Sequence, residues 1–217
     1  MTAKPSDDRT QYAFLSERLP TAMDTVADAV AAVERGEAVV YPTETVYGLG
    51  ADALDADAVE RVFELKGRAR DNPLSLGAPS VDAALRYTDP TDREVRFMRE
   101  FLPGPVTVVA ARREMVPDVL TAGRERVGIR VPDHDLAFEL LAELTPTPLT
   151  ATSANRSGAG SVRRVDELDP RILESVGAVL DDGETPGTES TVVDVGRNVI
   201  HRRGARADDI EAWLKRE

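Results

Sequence analysis

The stretch EAVVYPTETVYGLG, residues 37–50, decides how the rest of the chain is read. Its first five residues, Glu37 to Tyr41, have the β-branched, apolar centre of a short strand. Pro42 ends that strand, because proline cannot donate to a ladder. Two threonine hydroxyls and two glycines follow, at Thr43, Thr45, Gly48 and Gly50, and glycine lets a backbone come close to a ligand. Upstream, Val26, Val30 and Val33 recur at i, i+4 and i+7 before Gly36, which predicts an amphipathic helix with a glycine stop. Taken alone, the 42–50 loop is equally well explained as an ordinary strand-to-helix connection.

Working outward, the same alternation continues without a break in composition. Val59, Val62 and Phe63 mark a second helix ending near Lys66-Gly67, and Leu74 to Leu76 a short strand. A helix over 92–102 closes at Pro103-Gly104. Val106 to Ala111 and Val127 to Val131 read as strands, Leu136, Leu140 and Leu144 as a helix, and Pro148 to Ala151 as a strand. Ala178 to Leu180 and Thr191 to Val195 are further strands, and Val199 to Arg202 pairs with the latter across Gly196-Arg197-Asn198. Ile210, Trp213 and Leu214 close the chain with a helix. One α/β domain with a mixed sheet is expected over residues 21–217, preceded by a polar, aperiodic tail or early edge segment at 1–20.

Composition excludes several classes. The 217 residues carry 27 Lys+Arg against 39 Asp+Glu, a formal net charge of -12, so bare attraction to nucleic acid or anionic lipid is a poor starting point. Only Lys4, Lys66 and Lys215 are lysines. An Asp-rich, Lys-poor surface is what a protein kept soluble in high salt shows, and a merely acidic chain from a low-salt cell is the alternative. There is no cysteine, hence no disulfide frame or thiolate nucleophile, and two histidines, His134 and His201, do not make an imidazole metal site. The N-terminus lacks the order of a signal peptide, and no apolar run approaches the roughly 20 residues of a membrane span, so a cytoplasmic protein is expected.

The phosphate-loop, dinucleotide and nucleophile-elbow fingerprints are all missing. What remains are five loops rich in hydroxyls and cations, each at the end of a strand or helix: 41–50, 66–74, 150–158, 189–194 and 201–204. Lys66, Arg68 and Arg70 put three cations in five residues at a helix C-terminus, more than complementing a dipole requires. The segment Thr150 to Gly158, with Ser161 beyond it, offers many donors to an anion without burying a charge. Convergence of such loops on one cleft suits transfer at phosphorus, where the protein positions reactants and neutralises charge and Mg²⁺ carries part of the load. Acyl-enzyme chemistry, which needs an activated nucleophile, does not fit.

The series PTETVYGLG (42–50), KGRARDNPL (66–74), PGPVT (103–107), VGIRVP (127–132), TSANRSG (152–158), STVVD (190–194) and RRGA (202–205) resembles the YrdC-like family of threonylcarbamoyl-AMP synthases. The resemblance implies a twisted mixed β-sheet flanked by helices around a concave cleft. It further implies synthesis of threonylcarbamoyl-adenylate from L-threonine, bicarbonate and ATP, with Mg²⁺ accompanying ATP. Pyrophosphate would be released, and the product passed to a tRNA threonylcarbamoyl transferase complex for t6A at position 37. By the same resemblance Thr45, Arg130 and Ser190 meet threonine. Lys66 and Arg68 face the ATP phosphates, and Asn72, Ser153, Asn155, Ser161 and Arg203 line the nucleotide side. Two positions depart from the pattern: Gly77 stands where many longer members have a histidine, and Arg126 where Thr or Ser is common. The chain looks like the single-domain form of the family. An RNA-binding paralogue without synthase activity is the alternative, with a weak tRNA contact through an Arg-lined face.

Overall fold

A computed structural model describes residues 24–216, so the expected tail at 1–20 lies outside the described residues. The first helix, α1 (Val26–Glu34), starts at Thr25, whose side chain and that of Asp28 cap each other's backbone. It buries Ala29, Ala32 and Val33, with Val26 and Val30 only partly covered. The buried face is therefore centred on Ala29, Ala32 and Val33 rather than on the expected valine stripe, and α1 packs against α6 (Asp135–Glu143).

The chain then enters β1 (Val39–Tyr41), and here the structure corrects the strand-to-helix expectation. The PTETVY loop turns straight back into a second strand, β2 (Gly48–Gly50), antiparallel to β1 with Tyr41 opposite Gly48. Both glycines are demanded by the Tyr41 ring. A Cβ at Gly48 would lie 2.9 Å from its Cζ, and one at Gly50 3.0 Å from its Cε1. The glycines make room for an aromatic side chain inside a ladder, so GLG is strand despite its low β-propensity.

The remaining elements follow the expected order, with differences of one or two residues at their ends. They are α2 (Ala56–Lys66), β3 (Ser75–Gly77), α3 (Val81–Ala84), α4 (Asp92–Phe101), β4 (Val106–Ala111), α5 (Asp118–Thr121), β5 (Arg126–Arg130), α6, β6 (Leu149–Ser153), α7 (Pro170–Leu173), β7 (Ala178–Val179), β8 (Thr191–Asp194), β9 (Val199–Arg202) and α8 (Ala207–Arg216). The one-turn helices α3, α5 and α7 were not expected, since four residues are too few to show a period. The strands form one sheet in the order β7-β1-β2-β6-β3-β5-β4-β8-β9. Pairs β1–β7, β3–β5 and β4–β8 are parallel and the other five antiparallel, and β8–β9 is the expected hairpin. This is the mixed α/β architecture.

A large apolar cluster runs from Tyr47 and Phe63 to Phe97, Met98 and Trp213, and a smaller one joins α1 and α6 to Tyr41 and Leu149. Trp213 meets Phe97 edge to face at 4.9 Å and donates to Glu100, which pins α8 against α4. None of the described helices is long and apolar enough to cross a membrane.

Candidate functional site

Because β3, β5, β4 and β8 are neighbours, alternate residues of four strands share one sheet face. That face is the floor of an open cleft of about 650 Å³, walled by the PTETVY loop, the 68–74 loop and Glu189 to Ser190. At its centre is Gly128, where a Cβ would collide with Ser75 Oγ at 2.5 Å and Thr107 Cγ2 at 3.0 Å. The site thus needs a glycine in the middle of β5, a requirement that the sequence VGIRVP does not announce.

One end of the cleft is built around Lys66 and Arg68. Lys66 is the last residue of α2 and is 2% exposed. The left-handed Gly67 (φ 57) ends the helix there and turns the chain away. Lys66 Nζ donates to the backbone carbonyls of Ser153 and of Asn155, the latter at 2.6 Å, so it fastens the TSAN loop to α2 from beneath the cleft wall. Burial, then the neighbouring Arg68, push its pKa down to about 7. Arg68 lines the cleft and donates only to carbonyls, to Asn72 O at 2.8 Å and Pro73 O at 2.9 Å. Burial and the facing Arg202 both lower its pKa. Arg202, the last residue of β9, donates to Ser190 Oγ at 2.9 Å and lies 3.3 Å from Glu189. Two guanidiniums and an ammonium therefore gather where backbone carbonyls supply most of the partners.

The other end is built around Arg130, the last residue of β5, which is 7% exposed. Its Nη1 donates to Gly104 O, and its Nη2 lies 2.7 Å from Glu44 Oε1. Thr45 shares a hydroxyl hydrogen bond of 2.8 Å with Thr43, and Ser190 one of 3.1 Å with Thr107. Tyr41 forms part of the same wall, its hydroxyl pushed up to about 12 by burial, with Arg130 opposing and Glu44 adding.

Of the residues singled out from sequence, the cleft brings together Thr45, Arg68, Asn72, Arg130, Ser153 and Ser190. Lys66 and Asn155 stand behind it. The Asn155 side chain braces its own loop through Arg156 O and Ala159 O. Ser161 does not line the cleft but donates to Glu189, which does, at 3.0 Å. Arg203 does not line it either: it is ion-paired with Asp208 and Glu211 of α8. The cation that the fifth motif contributes is Arg202 instead: a bulge in β9 pairs Arg202 with Val192, which lines the cleft, and Ile200 with Val193, which lies in the core, so simple alternation along the strand would not have placed it. At Gly77 a Cβ would meet Leu149 O and Ala151 Cβ at 3.6 Å, ordinary contacts, so space does not dictate the glycine.

Sequence reading also missed the reason for Arg126. Its guanidinium bridges Glu94 of α4 at 2.6 Å and Asp194 of β8 at 3.0 Å, and both carboxylates are almost wholly buried. Burial raises the Glu94 carboxyl, but hydrogen bonds from Thr91 and Arg126 outweigh it and hold the pKa below its usual value.

Fold and site together define a class: a mixed α/β domain whose cleft offers cations and hydroxyls to a small anionic ligand. The sequence model of the Sua5/YciO/YrdC family, described as telomere recombination, matches residues 31–204, and the chain belongs to that family. It is 42% identical over 166 residues to the threonylcarbamoyl-AMP synthase of Pyrococcus abyssi, covering 75% of this chain and 48% of the relative. With the threonylcarbamoyl-AMP synthase of Bacillus subtilis the identity is 35% over 212 residues, 94% of this chain and 60% of the relative. The chain thus spans about half to three fifths of these two relatives. The structure of P. abyssi Sua5 complexed with L-threonine superposes with a TM-score of 0.78 at 38% identity, covering 87% of this chain and 56% of that one.

Proposed function

We propose that the chain is an L-threonylcarbamoyladenylate synthase, a nucleotidyltransferase joining L-threonine, bicarbonate and ATP. The observation that supports this is one cleft lined by Arg68 and Arg202 and, apart from them, by Arg130 beside Glu44, in a chain 42% identical to such a synthase. In this reaction the threonine amine takes up the carbon of bicarbonate with loss of water, giving a carbamate. A carbamate oxygen then bonds to the α-phosphorus as the bond to pyrophosphate breaks. Arg68 and Arg202 hold the phosphates and, with the charge of Lys66 behind the cleft wall, meet the charge that grows on the leaving pyrophosphate. Arg130 takes the threonine carboxylate, with Thr45 and Ser190 beside it, and a guanidinium suits that planar anion. Asn72 and Ser153 border the nucleotide, while Asn155 and Ser161 shape its loops.

Among the described residues no three His, Asp or Glu side chains are grouped to hold a metal. Asp194, the buried carboxylate of the cleft, is already bound by Arg126. Mg²⁺ is therefore assigned to the nucleotide phosphates, arriving with ATP and lending them charge neutralisation. The product is a labile acyl-adenylate, which implies hand-over to a tRNA-modifying transferase in the cytoplasm.

The test is pyrophosphate release by the purified chain, measured in molar KCl because the Asp-rich, Lys-poor composition points to a salt-rich cell. Release that requires ATP, L-threonine, bicarbonate and Mg²⁺ together is expected. Equal release without threonine would refute the proposal.

A further inference from the structure

The ion pair between Arg130 and Glu44 leaves both partners unfinished. Arg130 Nη1 has the Gly104 carbonyl, but its Nη2, 2.7 Å from Glu44 Oε1, makes no well-angled hydrogen bond. Neither oxygen of Glu44 receives one either, although both are buried. A carboxylate has room for about four donors, and leaving them unmet in a buried place is costly. The nearest hydroxyls do not supply them: Thr43 gives its proton to Val46 O, and Thr43 and Thr45 bond to each other. Tyr41 adds no charge to the balance, because its hydroxyl stays protonated far above neutral pH.

This end of the cleft therefore carries one fixed positive and one fixed negative charge side by side, summing to zero. A ligand with a single negative charge would upset that balance. One carrying a carboxylate and an ammonium on adjacent atoms would match it, group against group. Resting on the threonine reading above, we infer that Glu44 is the residue that receives the α-ammonium of the amino-acid substrate, while Arg130 receives its carboxylate. Without substrate, Glu44 sits on Arg130. With substrate, the ammonium brings up to three donors to the oxygens that now lack them. Glu44 is then what distinguishes an α-amino acid from a hydroxy acid of the same shape.

The experiment compares L-threonine with 2,3-dihydroxybutanoate, which keeps the carboxylate and β-hydroxyl but has a hydroxyl for the ammonium. Affinities for the full chain, its Glu44→Gln variant and its Glu44→Asp variant are measured by calorimetry in molar KCl. The native chain is expected to prefer threonine by about 10²-fold or more. Glu44→Gln should reduce that preference below tenfold, and Glu44→Asp, which keeps the carboxylate, should retain most of it while binding more weakly. If Glu44→Gln weakens both ligands equally, Glu44 acts only by holding Arg130 and the inference is wrong. Equal affinity of the native chain for both ligands overturns it without any variant, so a folding failure does not shield it. If neither ligand binds the native chain, the threonine reading itself has failed, a result distinct from either.

Discussion

Two sets of cations at the cleft are held by opposite means. Lys66 and Arg68 rest on backbone carbonyls and form no ion pair among the described residues, so no carboxylate cancels the charge they carry when protonated. Arg126 and Arg130, at the two ends of β5, rest on buried carboxylates, so their charge is matched within the protein. A carbonyl orients a cation through its dipole and leaves the field of a full charge in the cleft. A carboxylate orients it more firmly and removes that field. The first device suits a polyanion, which brings several charges of its own. The second suits a ligand that is net neutral, or a joint that must not move. An acidic protein with 24 arginines and three lysines thus keeps a local positive site by leaving Lys66 and Arg68 without carboxylates.

The comparison breaks first at Arg126, where the expected effect is largest. Removing the guanidinium leaves Glu94 with only Thr91 and Asp194 with only Arg197 as partners in a buried place, and breaking a buried pair of this kind costs about 3–5 kcal/mol. Arg126→Ala should lower the midpoint of urea unfolding accordingly. A loss below about 1 kcal/mol would mean that the bridge is worth no more than a surface pair, and the division between the two sets would fall.

Lys66→Ala and Arg68→Ala come next, with a different signature. An uncancelled cation at a leaving pyrophosphate acts most strongly in the transition state, so turnover should fall by about 10²-fold or more. Arg130→Ala should instead raise the apparent KM for threonine about tenfold or more and leave that for ATP within threefold, since a ground-state contact is lost. Steady-state kinetics with each substrate varied in turn separates the two patterns. Equal effects on both substrates from all three variants would erase the distinction.

Acid–base behaviour sharpens the same contrast. The folded chain holds the Lys66 proton only to about pH 7, whereas an unfolded lysine holds it to near 10.5. Between those values the unfolded state binds the extra proton, so this residue makes stability rise with pH, and below pH 7 its burial opposes folding in full. A Lys66→Met variant should lose that rise, as seen in melting temperatures from pH 7 to 10. A bound triphosphate favours the charged amine, so turnover should persist to higher pH at saturating ATP than at low ATP. Identical pH limits at both concentrations would place Lys66 out of reach of the phosphates.

Much of this was legible in the residues. The β1 strand, the β8–β9 hairpin and the larger helices follow from apolar periodicity, and the gathering of hydroxyl-rich loops follows from their places at strand ends. Three things were not. The β2 strand hides because its glycines answer to the Tyr41 ring, a contact across the hairpin with no local signal. Gly128 is likewise explained only by Ser75 and Thr107 on neighbouring strands. The Glu94–Arg126–Asp194 bridge spans 100 residues of sequence, and each member alone reads as a solvated charge. Long-range pairings decide which charges are cancelled, and that is the information a single sequence carries least openly.

The smallest expected effect is at Arg203, and it tests that last point directly. Sequence reading put Arg203 beside the nucleotide because it precedes Gly204 in RRGA. The structure gives it Asp208 and Glu211 as partners on α8, all three side chains well exposed, and leaves the cleft to Arg202. Exposed pairs of this sort contribute about 0–1 kcal/mol. Arg203→Ala should therefore shift the melting midpoint slightly and change neither KM nor turnover by more than about twofold. Arg202→Ala removes the guanidinium that faces Arg68 and bonds Ser190, and should raise the KM for ATP or cut turnover by at least tenfold. The two residues are neighbours in sequence, but Arg202 ends β9 opposite Val192 of the cleft face, whereas Arg203 lies just beyond the strand. If Arg203→Ala proves the more damaging of the two, the register of β9 against β8 is wrong by one residue, and with it the set of cations assigned to the phosphate end.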